Sequence, residues 1–342
     1  MLPDLHKLSR ILSRWRKPPG LILLYHRVAQ PAADPWRLSV SPAHFVEQMQ
    51  VLASRFNPVP LGAFSDQDSW GNRRRVAISF DDGYSDNFLE GRPVLIRLGI
   101  PATFFICSGV LTGGREFWWD ELYRLILDGG QLPGTLKFQC ADHQVFHWDL
   151  PVEKKAGGFS GNSWIAGNVP PSARHALYYA LWQFLQPLGD EDQQQVLQQL
   201  AELMGASRTP REEYLPMTPG QLRELAAMPL FEIGAHTVTH PMLGLRTAQV
   251  QQMEIRDNLH DLEMLTGRKV RGMAYPYGHF NTETLKIARD CGLQWACTTQ
   301  QGTVGPDTPV FTLPRFSVHD WSGEEFATRL RAFFHKPVLY GA

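Results

Sequence analysis

Cysteine is scarce. The 342 residues hold four, Cys107, Cys140, Cys291 and Cys297, and none sits in a Cys-x-x-Cys pair. That excludes a zinc ribbon and a dense disulfide framework, and buried free thiols are the expectation. Net charge is almost absent. Lys and Arg number 33 against 34 Asp and Glu, a formal charge of −1, which excludes nucleic-acid binding through bulk charge. Long apolar runs are missing too. No stretch approaches the ~18–20 residues of a spanning helix. The first residues carry scattered basic side chains in place of the apolar core of a secretory signal, so a cytoplasmic location is expected. Glycine (29) and proline (25) make up under a sixth of the chain and follow no period, which excludes collagen-like or low-complexity structure. No internal repeat is evident.

What remains is a folding composition, 43% hydrophobic and 20% charged. Residues 1–19 form a basic amphipathic segment. Lys7, Arg10, Arg14, Arg16 and Lys17 face one acid, Asp4, while Leu5, Leu8, Ile11, Leu12 and Trp15 recur at helical spacing. A helix packed on the domain is expected there, with peripheral contact to a membrane face as the alternative. Further on, short apolar runs alternate with helix-like stretches. Leu21–Tyr25, Val76–Phe80, Thr103–Ile106, Phe231–Ala235, Gly272–Tyr275 and Ala296–Thr299 read as buried strands. Pro42–Arg55, Phe88–Leu98, Thr218–Ala227, Thr247–Leu265 and Thr282–Cys291 read as helices. This alternation predicts an α/β fold with a parallel sheet, either a barrel or a doubly wound sheet. Residues 111–215 break the rhythm. Two helices, Ala173–Leu185 and Asp190–Met204, follow a Gly/Asn/Ser/Pro-rich stretch there. The reading is one domain over 20–335, interrupted by a largely helical insertion at 111–215.

Three strand ends carry chemistry. The run Ile78-Ser79-Phe80 ends in Asp81-Asp82-Gly83. Neighbouring strand residues point to opposite faces, so the two acids cannot share one role; one can bind a cation while the other works as a base. The strand 231–235 ends in His236-x-x-x-His240, which puts two imidazoles on one side if the chain turns helically. This is not a His-Glu-x-x-His pattern, because Thr237 occupies the position of its glutamate. The third is Ala274-Tyr275-Pro276-Tyr277-Gly278, a tight loop able to offer a backbone N–H to an oxyanion. In a parallel α/β fold these ends converge on one face. Asp82, His236 and His240 then give one carboxylate and two imidazoles, the donor set of an open zinc site, with Asp81 beside it as proton acceptor. His26 ends the first strand and faces the same side.

The ordered combination Ser79-Phe80-Asp81-Asp82-Gly83, His236-Thr237-x-x-His240 and Tyr275-Pro276-Tyr277-Gly278 resembles the polysaccharide deacetylase (NodB-homology) family, carbohydrate esterase family 4. Gly99-Ile100-Pro101-Ala102-Thr103-Phe104-Phe105 is similar to it as well, and the motif style resembles the poly-N-acetylglucosamine deacetylases. The resemblance implies a distorted (β/α)7 barrel and hydrolytic removal of an N-acetyl, less often O-acetyl, group from a sugar. It implies Asp81 as general base and Asp82, His236 and His240 as ligands of a divalent metal, zinc first, with Co2+, Ni2+ or Mn2+ as alternatives. It assigns Tyr277, with Pro276, to the oxyanion and substrate side. The family's usual arginine position is Ala274 here, and Arg315 is the candidate to orient the base. Asp320-Trp321 is the candidate for the family's fourth motif, whose upstream half is missing here; Trp321 is then a substrate-side tryptophan, with a structural tryptophan as the equal alternative. His26 is the expected general acid, ahead of His319 and His335. An intracellular or lipid-linked acetylated sugar is the expected substrate. A metal amidohydrolase acting on a cyclic amide or imide, and a non-catalytic sugar-binding module, are the alternatives on the same scaffold.

Overall fold

The computed structural model describes residues 18–66, 74–128, 130, 132–139, 145–149 and 164–336. The basic segment at 1–17 and Cys140 lie outside the described residues.

Eight strands build the sheet, seven of them along one path: β1 Leu21–Tyr25, β2 Arg75–Phe80, β3 Ala102–Ile106, β4 Phe231–Ala235, β5 Gly272–Ala274, β6 Trp295–Cys297 and β7 Phe316–Ser317. Their order is β6-β5-β4-β3-β2-β1-β7 and every pairing is parallel. A short strand at Asn57–Pro58 pairs with the start of β2. The two ends of the sheet approach each other. Leu313, just before β7, exchanges backbone hydrogen bonds with Ala296 and Thr298 at 2.9 Å each, and Arg315 N–H donates to Gln300 O at 2.9 Å. The result is a distorted, incompletely paired (β/α)7 barrel.

Burial on both faces explains why β1 to β3 read as continuous apolar runs. The two faces separate with period two. Leu21, Leu23, Tyr25, Val76, Ile78 and Phe80 pack under the covering helices. Ile22, Ala77 and Phe105 point into the barrel with Ala274, Trp295 and Cys297. The interior is tight. A Cβ at Gly234 would stand 2.4 Å from the Phe105 ring, and one at Gly272 would stand 2.3 Å from the Trp295 indole.

Nine α-helices are described: α1 Pro42–Arg55, α2 Arg92–Leu98, α3 Trp118–Ile126, α4 Ala173–Leu185, α5 Asp190–Leu203, α6 Pro219–Ala227, α7 Ala248–Thr266, α8 Thr282–Asp290 and α9 Gly323–Phe333. Local sequence sets their ends. Ser41 caps α1 ahead of Pro42, and Thr218 and Asn281 form capping boxes at α6 and α8. The expected helix 88–98 is split. It opens with one π turn at Asn87–Gly91, and Asn87 Nδ2 donates to His26 O at 2.8 Å.

The segment between β3 and β4 is more than helical. It adds an antiparallel hairpin, Thr135–Gln139 with Val145–Asp149, to α3, α4 and α5. It has its own apolar cluster, including Trp118, Leu122, Leu177, Leu181, Val196 and Leu200. Tyr84 and Cys107 of the barrel, with Tyr277 at its edge, join that cluster, so the insertion is seated on the ends of the strands.

Candidate metal centre and active site

The strand ends do converge. Loops after β1, β2, β4, β5 and β6 line one pocket of about 220 Å³. His26 comes from the first, Asp81 and Asp82 from the second, His236 and His240 from the third, and Tyr277 and Thr299 from the last two. The backbone of these loops is unusual. The non-glycine residues with positive φ among the described residues are Arg37, Asp82, Thr237, His240 and Tyr277, with φ between 54° and 71°. Arg37 lies between the lining residues Trp36 and Leu38. Left-handed backbone is unfavourable for such side chains and collects where geometry matters more than stability.

At the end of β2 the left-handed turn begins at Asp82 (φ 71°) and continues through Gly83 (φ 88°). This separates the two carboxylates. Asp81 turns to Arg315, which is fully buried, in a fork of 2.7 and 2.8 Å. Arg315 is itself aimed by hydrogen bonds to Thr298 O at 2.9 Å and Ser79 Oγ at 3.2 Å. Asp82 turns to the imidazoles. Its Oδ1 lies 3.5 Å from His236 Nε2 and 3.4 Å from His240 Nε2.

The His-x3-His segment is a loop rather than the helical turn expected from its spacing. Both Thr237 and His240 have positive φ. Glu254 of α7 holds the loop by accepting from Val238 N–H, Thr239 N–H and the Thr239 hydroxyl at 2.8, 2.9 and 2.6 Å. The imidazoles meet because this clamp folds the loop back, not because of a helical repeat.

Could this cluster hold a metal ion? His236 Nδ1 faces Ala274 O at 2.8 Å. A carbonyl accepts only, so Nδ1 carries the hydrogen and the Nε2 lone pair is free for a metal. Bonds of 2.0–2.2 Å in a tetrahedron place ligand atoms about 3.4 Å apart. The Asp82–His236 and Asp82–His240 separations match that edge. Cys107 also stands close, its ligand atom within 4.8 Å of those of Asp82 and His236. Its thiol donates to His236 O at 3.2 Å, and burial raises its pKa well above the ordinary value. A protonated, engaged thiol is a poor ligand, which leaves Asp82 and His236 of that group; His240 lies outside it but offers a third donor, 3.4 Å from Asp82.

The charges are consistent with this. Burial opposes ionisation of Asp82, but the His236 hydrogen bond and the nearby imidazoles bring its carboxyl down to about 2. Burial pushes His240 down to about 3, which keeps it neutral as a ligand must be. Burial also opposes ionisation of Asp81, yet the charge and hydrogen bonds of Arg315, with His236, hold it below the ordinary carboxylate range.

A family model for polysaccharide deacetylase matches residues 193–296, which include His236, His240 and Tyr277. That stretch of the chain is similar to the polysaccharide deacetylase family. YxkH of Bacillus subtilis, named as a polysaccharide deacetylase, is 31% identical over 117 residues, covering 34% of this chain and 42% of that one. The poly-beta-1,6-N-acetyl-D-glucosamine N-deacetylase of Staphylococcus epidermidis is 27% identical over 121 residues, covering 32% and 40%. The chain therefore spans about two fifths of the length of these curated relatives. Among solved structures, the Streptococcus pyogenes deacetylase PplD in complex with acetate superposes with a TM-score of 0.55 at 17% identity, over 91% of this chain and 97% of that one. At that identity the likeness concerns the fold, the parallel-stranded (β/α)7 deacetylase barrel.

The expected site residues fall into three groups. Asp81, Asp82, His236, His240, His26 and Tyr277 line the pocket. Arg315 and Pro276 stand behind the lining, Arg315 against Asp81 and Pro276 buried under the turn at Tyr277. Trp321 lies away from the pocket, which corrects its expected place on the substrate side. Its indole packs edge-on to His319 at 5.2 Å and over Arg329 at 4.4 Å, and its carbonyl accepts from Gln48. It is a buried anchor for α9, set where β7 and α1 meet. His319 faces Arg37 O at 3.1 Å, and neither it nor His335 reaches the lining.

Five lining residues escaped the sequence reading as site residues: Trp36, Leu38, Trp119, Trp182 and Thr299. Trp119 and Trp182 come from the insertion, and Trp36 from the loop before α1. Ten tryptophans in one chain was the available signal, but no spacing tells a pocket indole from a core indole.

Proposed function

We propose that this domain is a metal-dependent hydrolase that removes the N-acetyl group of a sugar. One observation carries the reading: Asp82 Oδ1 stands 3.5 and 3.4 Å from the Nε2 atoms of His236 and His240, and beside them Asp81 is clamped by a buried arginine. When bound to those three residues, a divalent ion, zinc by its donor set, would supply Lewis acidity and a water of lowered pKa.

The chain's own residues do the rest. Arg315 keeps Asp81 ionised and points it into the pocket, so Asp81 takes a proton from the attacking water. The water oxygen joins the acetyl carbon. The Tyr277 backbone N–H, at a left-handed turn on the pocket rim, donates to the developing oxyanion; one such donor is typically worth ~3 kcal/mol. His26, on the opposite rim, gives its proton to the sugar nitrogen as the carbon–nitrogen bond breaks. Acetate and a free amino sugar leave.

The name of the Staphylococcus epidermidis relative supports N- over O-deacetylation. The basic amphipathic pattern of residues 1–17 supports a lipid-linked glycan or its precursor, met at the cytoplasmic face of a membrane. The test is a screen of acetylated sugars for acetate and new amine. Release of both in equal amounts is expected. Opening of a cyclic amide or imide without acetate would replace the proposal with an amidohydrolase. Sugar binding without turnover would replace it with a binding module.

A further inference from the structure

The pocket floor is polar, yet much of its wall is indole. Trp182 of α4 stacks on Trp36 with ring centroids 4.0 Å apart. The loop carrying Trp36 is tied to the insertion twice more: Trp36 Nε1 donates to Tyr178 OH at 2.8 Å, and Ala166 N–H donates to Pro35 O at 2.8 Å. Trp119 stands over His240 with centroids 5.0 Å apart. It is fixed by its Nε1 donating to Tyr84 OH at 2.8 Å, and that hydroxyl donates to Asp120 at 2.6 Å. Each indole is thus held by a hydrogen bond or a stack while its ring still faces the cavity. Such pre-positioned apolar surface beside a polar floor suits a ligand that has both kinds of face. A sugar ring is one: its C–H face is apolar and its edge carries hydroxyl and acetamide groups.

The size narrows the choice. The cavity is about 220 Å³. That is below the ~300–1,000 Å³ of drug-sized sites. Space of that size is of the order of one sugar ring, and the insertion supplies Trp119 and Trp182 to its wall.

We propose that Trp36, Trp119 and Trp182 are the specificity wall of this enzyme, stacking one acetylated sugar ring and restricting the substrate to a single unit at a glycan end or on a small carrier. This rests on the deacetylase reading above. The insertion between β3 and β4 is therefore the substrate-selecting element. An interior residue of a long polymer needs an exit on both sides and is turned over poorly.

The experiment uses β-1,6-linked N-acetylglucosamine oligomers of one to six units as probes. Acetate release is followed, and the deacetylated position is read by mass spectrometry. Deacetylation confined to an end unit is expected. Trp182→Ala should raise KM about tenfold or more, with kcat within about twofold. Trp182→Phe should recover most of the loss, and metal content and melting temperature should match wild type in both. Calorimetric binding of the same oligomers to the Asp81→Asn protein should weaken in parallel when Trp182→Ala is added, a readout independent of turnover. Should Trp182→Ala fail to fold, Trp36→Leu carries the same expectation. Interior deacetylation at rates equal to the end unit, or unchanged KM and binding in a folded tryptophan variant, overturns the inference and leaves the deacetylase reading standing. No acetate and no binding with any oligomer overturns both.

Discussion

Replacing Arg315 by methionine tests the electrostatics of the site directly. Arg315 is fully buried, and Asp81 is nearly so. Their fork has N–O distances of 2.7 and 2.8 Å, and two further bonds to Ser79 and Thr298 occupy the guanidinium. Methionine fills similar volume but removes the charge. A buried carboxylate left without its partner costs about 3–5 kcal/mol, a large part of a typical 5–15 kcal/mol stability. The double variant Asp81→Asn/Arg315→Met removes both charges and should recover much of that loss, so the two substitutions should couple by about 2 kcal/mol or more. The assay is urea unfolding of metal-free wild type, both single variants and the double variant at pH 7. The sign of the pH dependence is a second check. In wild type the Asp81 carboxyl lies below its ordinary value, so its contribution is present above the unfolded pKa and lost as pH falls through the folded one. In Arg315→Met burial acts unopposed by the arginine and raises that carboxyl, so acidification should help the variant where it harms the wild type. A cost of about 1 kcal/mol or less, or simple additivity in the double variant, would refute the reasoning.

Other outcomes follow from the same geometry. Asp81→Asn should keep metal at wild-type stoichiometry while turnover falls by about 10²-fold or more; retained turnover would remove Asp81 from its role. His26→Gln should also keep metal and lose about 10²–10⁴-fold in kcat, with the larger loss on amides whose amines are poor leaving groups. Asp120 lies buried under Tyr84, and burial pushes its carboxyl from 3.8 up to about 7 despite Arg27 and the Tyr84 hydrogen bond. Its raised folded pKa means that stability contributed at acidic pH is lost as pH rises between those values. Asp120→Asn should flatten the slope and gain up to roughly 4 kcal/mol, at ~1.4 kcal/mol per unit, relative to wild type near pH 8; an unchanged slope in thermal melts would contradict this.

Much of the barrel was legible because buried parallel strands write themselves as apolar runs. Phe231–Ala235 and Pro42–Arg55 have the bounds their patterns gave. β7 was missed because two residues, Phe316 and Ser317, make no pattern; their place is set by pairing with Leu23 and Leu24. The strand pair Thr135–Gln139 and Val145–Asp149 was missed because the pairing of two five-residue segments is a tertiary property. At the site, adjacent acids and paired histidines were visible, but the device that joins the histidines was not. Glu254 sits fourteen residues beyond His240 on a helix whose polar face looks ordinary in sequence. Arg315 was visible only as an arginine standing in for Ala274 of the third motif, and its fork to Asp81 needed the fold. Trp321 misled because an Asp-Trp pair has the same letters in a pocket or in a core; here Asp320 accepts from Ser41, also contacts His44, and carries Trp321 away from the cavity.

The account stands on the identity of the metal ligands, and one equilibrium titration addresses it. Zinc affinity, measured by competition with a chromogenic chelator, should show one site per chain in the wild type. Asp82→Ala, His236→Ala and His240→Ala should each weaken it about 10²-fold or more, while Cys107→Ala leaves it within about threefold. A Cys107→Ala protein that loses zinc while His240→Ala keeps it, or a wild type with no such site, would contradict the account.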